Sequence, residues 1–328
     1  MTITSHPYSG EDDYARIRAL LFTLCAESGS LLYCTVGDLD WWRYKLDDPA
    51  RAPVHLWIDD LGILVGFTWL NNRGAVDLLV HPRYRAIEDE MLAQAEHEQG
   101  NRQADTGQMT ILTAWAYTRD DERLVVLRRR GYERTETNLC HRERRLDEPV
   151  PAAVLPAGYR IRSVRGEVDV EERVAAHRDA FAPSHMTAVK HRAIMQAPTY
   201  RSDLDLVVVA PNGAFAAFCI VWFNAVNKIG VFEPVGTHSA HRHLGLATAL
   251  LHEGMRQLRM LGAHTAYLTS DGDPGAVAAT QLYESVGFNV IDRNYAWTKT
   301  LDVARTIGRW STARGSKRAR ISSGGGSR

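Results

Sequence analysis

Cysteine, lysine and long apolar runs are all scarce in this chain of 328 residues. The first and the last of these close off a class of protein. The four cysteines, Cys25, Cys34, Cys140 and Cys219, form no C-x-x-C pair. At this length that excludes a disulfide scaffold and points to reduced thiols. The longest apolar run, Ala214–Phe223, is far shorter than the roughly 20 residues a membrane helix needs. The opening residues, MTITSHPYSGEDD, are polar and acidic and lack a secretory signal pattern, so a cytoplasmic location with no membrane partner is expected. There is no net charge either, with 39 basic and 39 acidic residues. That argues against a globally basic nucleic-acid binder and against an acidic disordered chain. Only five of the basic residues are lysine, a bias that carries no mechanism.

The balance hides an asymmetry. From residue 303 to 328 there are seven basic residues and no acidic one, so the remaining 302 residues hold 32 basic and 39 acidic. A basic tail of this size supports only weak, salt-sensitive contact with polyanions. The stretch 302–328 is therefore expected to be a solvated, disordered tail, with no specific nucleic-acid partner.

The length suggests two domains. The segment Asp147–Gly158, DEPVPAAVLPAG, has three prolines and a glycine and marks a linker. The predicted organisation is a domain over 1–146, a linker over 147–158, a second domain over 159–301 and the tail over 302–328. In the first half, periodicity predicts a helix over 12–28 and strands over 54–58, 63–70 and 75–81. A helix near 84–98, a strand over 109–117, a helix over 120–130 and short terminal strands follow. The second half repeats the order. It has a strand over 159–164, a helix over 170–181 and strands over 205–210, 215–223 and 229–237. A helix over 244–261, a strand over 265–270, a helix over 275–286 and strands over 288–291 and 295–300 complete it. This is an α/β chain with a mixed sheet. The segment VDLLVHPRYRAIEDEMLAQAE (76–96) sits where EPVGTHSAHRHLGLATALLHE (233–253) sits. Likewise LVVLRRRGY (124–132) sits where TQLYESVGF (280–288) sits. Two periods of about 150 residues are a duplicated domain, not a solenoid.

The chemistry concentrates in VGTHSAHRHLGLATALL, residues 235–251. A strand leads through Arg242 and Gly245 into an amphipathic helix. The first turn of such a helix offers unpaired backbone N–H groups and the positive end of the dipole. Small residues at Gly245 and Ala247 let an anion approach the backbone, and Arg242 adds a full charge. That combination suits a pyrophosphate. The sequence is neither a Walker P-loop, which ends in GK[ST], nor a dinucleotide fingerprint.

Arg242-x-x-Gly245-x-Ala247 after a strand resembles the [RQ]-x-x-G-x-[GA] motif of the GNAT acyltransferase superfamily. About 30 residues on, Leu282-Tyr-Glu-Ser-Val-Gly-Phe288 resembles that family's closing L-Y-x-x-x-G-F signature. The resemblance covers about residues 159–300, with a weaker version over about 1–146. It implies two tandem GNAT (acyl-CoA N-acyltransferase) domains, the first degenerate, and acetyl-CoA as co-substrate. In that family the backbone of Val235, Gly236 and Thr237 would pair with the pantetheine amides as an added strand. The N–H groups of His243, Leu244, Gly245, Leu246, Ala247 and Thr248 would hold the pyrophosphate. A strand N–H near Val235 would polarise the thioester. One departure is Ala276, where the family often has an asparagine touching the cofactor.

The resemblance makes Tyr283 the general acid that protonates the departing thiolate; a ring packed under the last helix is the other use of this side chain. The acceptor amine titrates near 10, so about 0.1% is neutral at pH 7, and a base or water relay is needed. Glu233, on the strand before the motif, is the candidate. Binding the substrate ammonium, or pairing with an arginine, are its alternatives. Asp271 and Asp273 follow the next strand and would form an anionic mouth for a cationic acceptor, or cap the helix near Pro274. His238, His241 and His243 are crowded into the turn the phosphate needs and lack a completing ligand, so no metal is expected. Trp41, Trp42 and Tyr44 either line an acceptor pocket or belong to a core. Cys219 is poorly placed for a ping-pong nucleophile.

The expected function is direct acetyl transfer, in a ternary complex, to a primary amine of a polar small molecule. An aminoglycoside-type antibiotic is the first candidate acceptor, from the acidic body and the second domain available as a pocket wall. A mycothiol-synthase-like or peptide-amine acetyltransferase, and a non-catalytic CoA-binding interaction protein, are the alternatives. A homodimer is left open.

Overall fold

The computed structural model describes residues 2–29, 32–47, 53–103 and 110–301. The basic tail from residue 302 and the first residue of the strand expected over 109–117 lie outside them. The chain forms two compact units that are not contiguous in sequence. One gathers the described residues of Met1–Tyr8, Pro53–Glu136 and Tyr295–Arg328; the other gathers those of Ser9–Ala52 and Thr137–Asn294.

In the first unit β1 (Thr4–Pro7), β2 (Val54–Ile58), β3 (Leu64–Leu70) and β4 (Ala75–Val80) are successive antiparallel neighbours. β5 (Thr110–Tyr117) lies parallel to β4. Helices α3 (Glu88–Gln103) and α4 (Asp121–Arg129) follow β4 and β5. The core joins Trp57, Val65, Leu78, Met91, Leu112 and Leu127 to Trp297 and Leu301 from the last strand.

The second unit has the strand order β6 (Glu133–Arg145), β11 (Thr265–Asp271), β10 (Ile229–Thr237), β9 (Phe215–Asn224), β8 (Asp205–Val209), β7 (Arg160–Ser163). β6 is antiparallel to β11, with His141 opposite Thr269 and Leu139 opposite Asp271. β11 is parallel to β10, and the rest are antiparallel. Helix α7 (Leu246–Met260) inserts Leu250, Leu251, Met255 and Leu258 among Val221, Phe232, Leu268 and Phe288. Helix α8 (Val277–Ser285) follows β11, and β12 (Asn289–Leu301) ends the described chain. The terminal strands expected as short pairs in each half are single strands of 13 residues, β6 and β12.

Helices α1 (Glu11–Ser28) and α2 (Val36–Tyr44) belong to this second unit, beside α5 (Val170–Ala180) and α6 (Ala188–Ile194). Asp40, fully buried on α2, explains the attachment. Its carboxylate accepts from Tyr14 Oη at 2.5 Å, Arg18 Nη1 at 2.6 Å and the backbone N–H of Thr199 at 3.0 Å. A buried carboxylate is tolerated only when donors surround it, and here they come from α1 and from the segment after α6. Gly37 lets the start of α2 press on β9, since a Cβ there would lie 2.7 Å from Trp222 Cβ and Cγ.

Candidate functional site

The site is built on β10. Its parallel ladder with β11 runs from Ile229–Thr265 to Val231–Tyr267. Beyond that, β11 continues to Asp271 against β6, while β10 continues to Thr237 against β9. The two parallel strands therefore part after Val231. Val235, Gly236 and Thr237 pair with Cys219, Phe218 and Ala217 on one side, and no ladder to β11 is formed on the other among the described residues. This leaves an open strand edge able to take an added extended segment.

At the point of parting the β9–β10 register shifts between Phe232 and Val235, around a cis Glu233–Pro234 peptide. Trp222 Nε1 donates to the Glu233 carbonyl at 2.6 Å. The backbone of Glu233 is thus held by an indole buried against α2.

After β10 comes the turn. His238 accepts the N–H of Ala240 on its ring at 3.2 Å, and Ser239 donates its N–H and hydroxyl to Asp179 of α5 at 2.5 and 2.9 Å. His241 meets the Tyr159 hydroxyl at 3.0 Å. His243 and Gly245 both adopt positive φ, 62° and 72°. For Gly245 this is the helix N-cap, with no side-chain cap. Any side chain there would be strained by the left-handed backbone. Arg242, His243, Leu244 and Gly245 are exposed, and no ion pair engages Arg242 among the described residues. Helix α7 begins at Leu246, two residues later than expected, because the turn uses 244 and 245. Its first-turn N–H groups, including those of Ala247 and Thr248, face an end without an internal acceptor. The arrangement suits a diphosphate in charge and in space.

Tyr283 lies on α8, half-buried against the core, with its ring edge-on to Phe288 at 6.3 Å. The packing use of this side chain is therefore realised. Burial, and then the nearby Glu233, push its hydroxyl up to about 12. It stays protonated at neutral pH and can donate. Arg142 lies beneath α8, fully buried, its Nε donating to Ser270 at 3.2 Å and its Nη2 to Thr280 at 3.3 Å. Its charge opposes the rise on Tyr283.

Among the described residues no arginine pairs with Glu233. Burial, then the carboxylate of Asp38 and a hydrogen bond with it, push its carboxyl up to about 8; Lys45 pulls the other way. Asp38 was not among the residues expected from sequence. Thr35-Val-Gly-Asp38 is legible only as a capping box that starts α2, and it is one, with Asp38 Oδ2 accepting from Thr35 N–H and hydroxyl at 2.7 Å each. Trp41 is half-buried, 6.5 Å from Trp222 and 6.3 Å from His177, and packs with Tyr44 against the Trp222 cluster. Both belong to the core behind Glu233.

Asp271 ends β11 and Asp273 follows it, joined by the Asp273 N–H to Asp271 Oδ1 at 2.9 Å. Neither side chain caps α8, whose N-cap is Ala276; the capping use is not realised. Cys219 is fully buried and its thiol is pushed up by burial, so the thiolate is disfavoured. Among the described residues no helix is long and apolar enough to cross a membrane.

Residues 171–288 match the Acetyltransferase (GNAT) family. A mycothiol acetyltransferase of Thermobispora bispora is 28% identical over 239 residues, 69% of this chain and 76% of that protein. Two solved structures share the fold over 91% of this chain. A GCN5-related N-acetyltransferase from Sphaerobacter thermophilus has a TM-score of 0.66 at 20% identity over 95% of its length. A tandem GNAT protein from the clavulanic acid biosynthesis pathway has 0.64 at 19% over 98%. The parted parallel strands and the glycine-capped helix both fall inside the segment 171–288 that matches the GNAT acetyltransferase family.

Proposed function

We propose that the protein transfers the acetyl group of acetyl-CoA directly to the primary amine of a polar small molecule. The observation that carries this is the convergence at one parting of strands. The open edge of β10, the uncapped start of α7, the Glu233 carboxyl and the Tyr283 hydroxyl all belong to it. Acetyl-CoA supplies an activated acyl carbon and a thiolate leaving group. The chain's residues do the rest. The first turn of α7 and Arg242 hold a diphosphate, and the edge of β10 from Val235 to Thr237 holds an extended amide-bearing arm. Glu233 takes a proton from the acceptor nitrogen, and Tyr283 gives one to the departing sulfur. Direct transfer is favoured because Cys219 is buried and protonated.

The name of the related mycothiol acetyltransferase favours a mycothiol-type acceptor over an aminoglycoside. Its ammonium suits the carboxyls of Glu233 and Asp38 and the exposed Asp271 and Asp273. The test is a panel of cysteine amide, glucosamine, spermidine and kanamycin with acetyl-CoA. It is read by thiol release and by mass spectrometry of the acetylated product. Turnover on a cysteinyl or glucosaminyl amine is the expected result. Acetyl-CoA binding without turnover of any amine would favour the non-catalytic alternative.

A further inference from the structure

We propose that Asp38 is the positioning partner of Glu233, so that the acid–base group of this site is a pair of carboxyls assembled from helix α2 and strand β10. This rests on the reading of Glu233 as the group that takes the acceptor's proton.

Both members are fixed from behind. The carbonyl of Glu233 is held by Trp222 Nε1. Gly37 lets α2 close on that same indole, a contact no larger residue permits. The next residue on α2 is Asp38. Its Oδ2 is occupied by the N–H and hydroxyl of Thr35, and its carboxyl shares a hydrogen bond with Glu233. Ionising one half-buried carboxyl beside another is costly, so Glu233 gives up its proton only above the usual carboxylate range. The charged and titratable groups facing the pair are Lys45 at the C-terminal cap of α2, which opposes the effect, and Tyr283 on α8, which is neutral. His177 of α5 lies beyond Trp41 and is kept neutral by burial.

The consequence is a stronger base. An ordinary carboxylate is several pH units too acidic to take a proton from an alkylammonium, and one raised by its partner comes closer to the match that proton transfer favours. In the step itself the acceptor's ammonium nitrogen gives a proton to the ionised Glu233. This leaves a neutral amine with its lone pair free, and a carboxylic acid whose O–H is received by Asp38. No other bond changes.

The pair is tested without any acceptor by carboxyl carbon NMR. The protein is labelled at glutamate, and the Glu233 signal is identified by its loss in Glu233→Gln. Wild type is expected to show Glu233 titrating near pH 8. Asp38→Asn is expected to move it down by at least one pH unit, with Asp38→Glu restoring much of the shift. In Glu233→Gln, aspartate labelling is expected to find the Asp38 carboxyl signal displaced by the loss of the acid group it contacts. This second variant keeps the test open if Asp38→Asn folds poorly. For the best amine of the panel, Asp38→Asn is expected to shift the acid limb of kcat/KM to lower pH. It is also expected to lower the high-pH plateau roughly tenfold, as a weaker base would. A Glu233 titration that ignores Asp38→Asn overturns the pairing. A moved titration with an unmoved acid limb keeps the pair and overturns the reading of Glu233 as the base.

Discussion

His81 and His238 stand at the same place in the two halves of the chain, and each accepts a backbone N–H two residues on at 3.2 Å. Each also sets its ring edge-on to the aromatic residue three positions later, Tyr84 or His241, at 5.7 Å. From this shared start the two turns diverge. In the second unit Arg242 is exposed and Gly245 leaves the start of α7 bare. In the first unit the matching residues are Arg85 and Glu88. Glu88 is fully buried and accepts from Arg123 Nη2 at 2.7 Å. Arg85 turns inward to Glu88 at 3.3 Å and also pairs with Asp120. A carboxylate of the chain itself thus stands where the second unit leaves space for an anion, and it satisfies the same helix N-terminus and arginine. The positions proposed as catalytic diverge in the same sense. Val76 matches Glu233 and Leu127 matches Tyr283, and both are fully buried in the core of the first unit. The first unit has turned these four positions into packing or internal pairing. The second leaves Arg242 and Gly245 exposed and Glu233 and Tyr283 half-buried.

The most severe way to break this contrast is to give the second unit the first unit's residues. Tyr283→Leu copies Leu127. It is expected to lower kcat by about 10²–10⁴, the range of a lost general acid, while calorimetry shows acetyl-CoA still bound. Unchanged turnover would take Tyr283 out of the chemistry. Gly245→Glu copies Glu88 next. A carboxylate about 4 Å from a phosphate at an effective dielectric near 20 is worth about 4 kcal/mol, so binding should weaken at least a hundredfold with the circular dichroism spectrum preserved. Wild type should titrate one acetyl-CoA per chain; two sites, or binding that survives Gly245→Glu, would erase the distinction between the turns. The mildest change sharpens it from the other side. Glu88→Gln removes the charge that holds Arg123 and should cost about 2 kcal/mol in denaturant unfolding. It should create no acetyl-CoA site, because Glu90 and the inward Arg85 remain.

Much of this was legible in the linear chain. The duplicated plan, the strand positions and the motif turn rest on local spacing. Gly245 announces itself because only a residue without Cβ fits a left-handed N-cap. Tyr283 and Glu233 were found because each sits at a fixed distance from a motif. The roles left open divided once neighbours were visible. Asp271 and Asp273 cap nothing, Tyr283 packs its ring and keeps its hydroxyl near Glu233, and Trp41 and Tyr44 are core.

By itself the sequence determined the α/β class, the repeat and the glycine turn that starts α7, because backbone propensity and first-turn chemistry are decided over a few residues. Only the tertiary structure decided which elements share a unit. Helices α1 and α2 and most of β6 come from the first half of the chain, yet they complete the unit built from the second. They bring Asp38 to Glu233 and Arg142 to Tyr283. No periodicity marks such residues, because their effect on a neighbour's proton depends on distance and burial, and those exist only once buried groups such as Asp40 and Gly37 have fixed the packing.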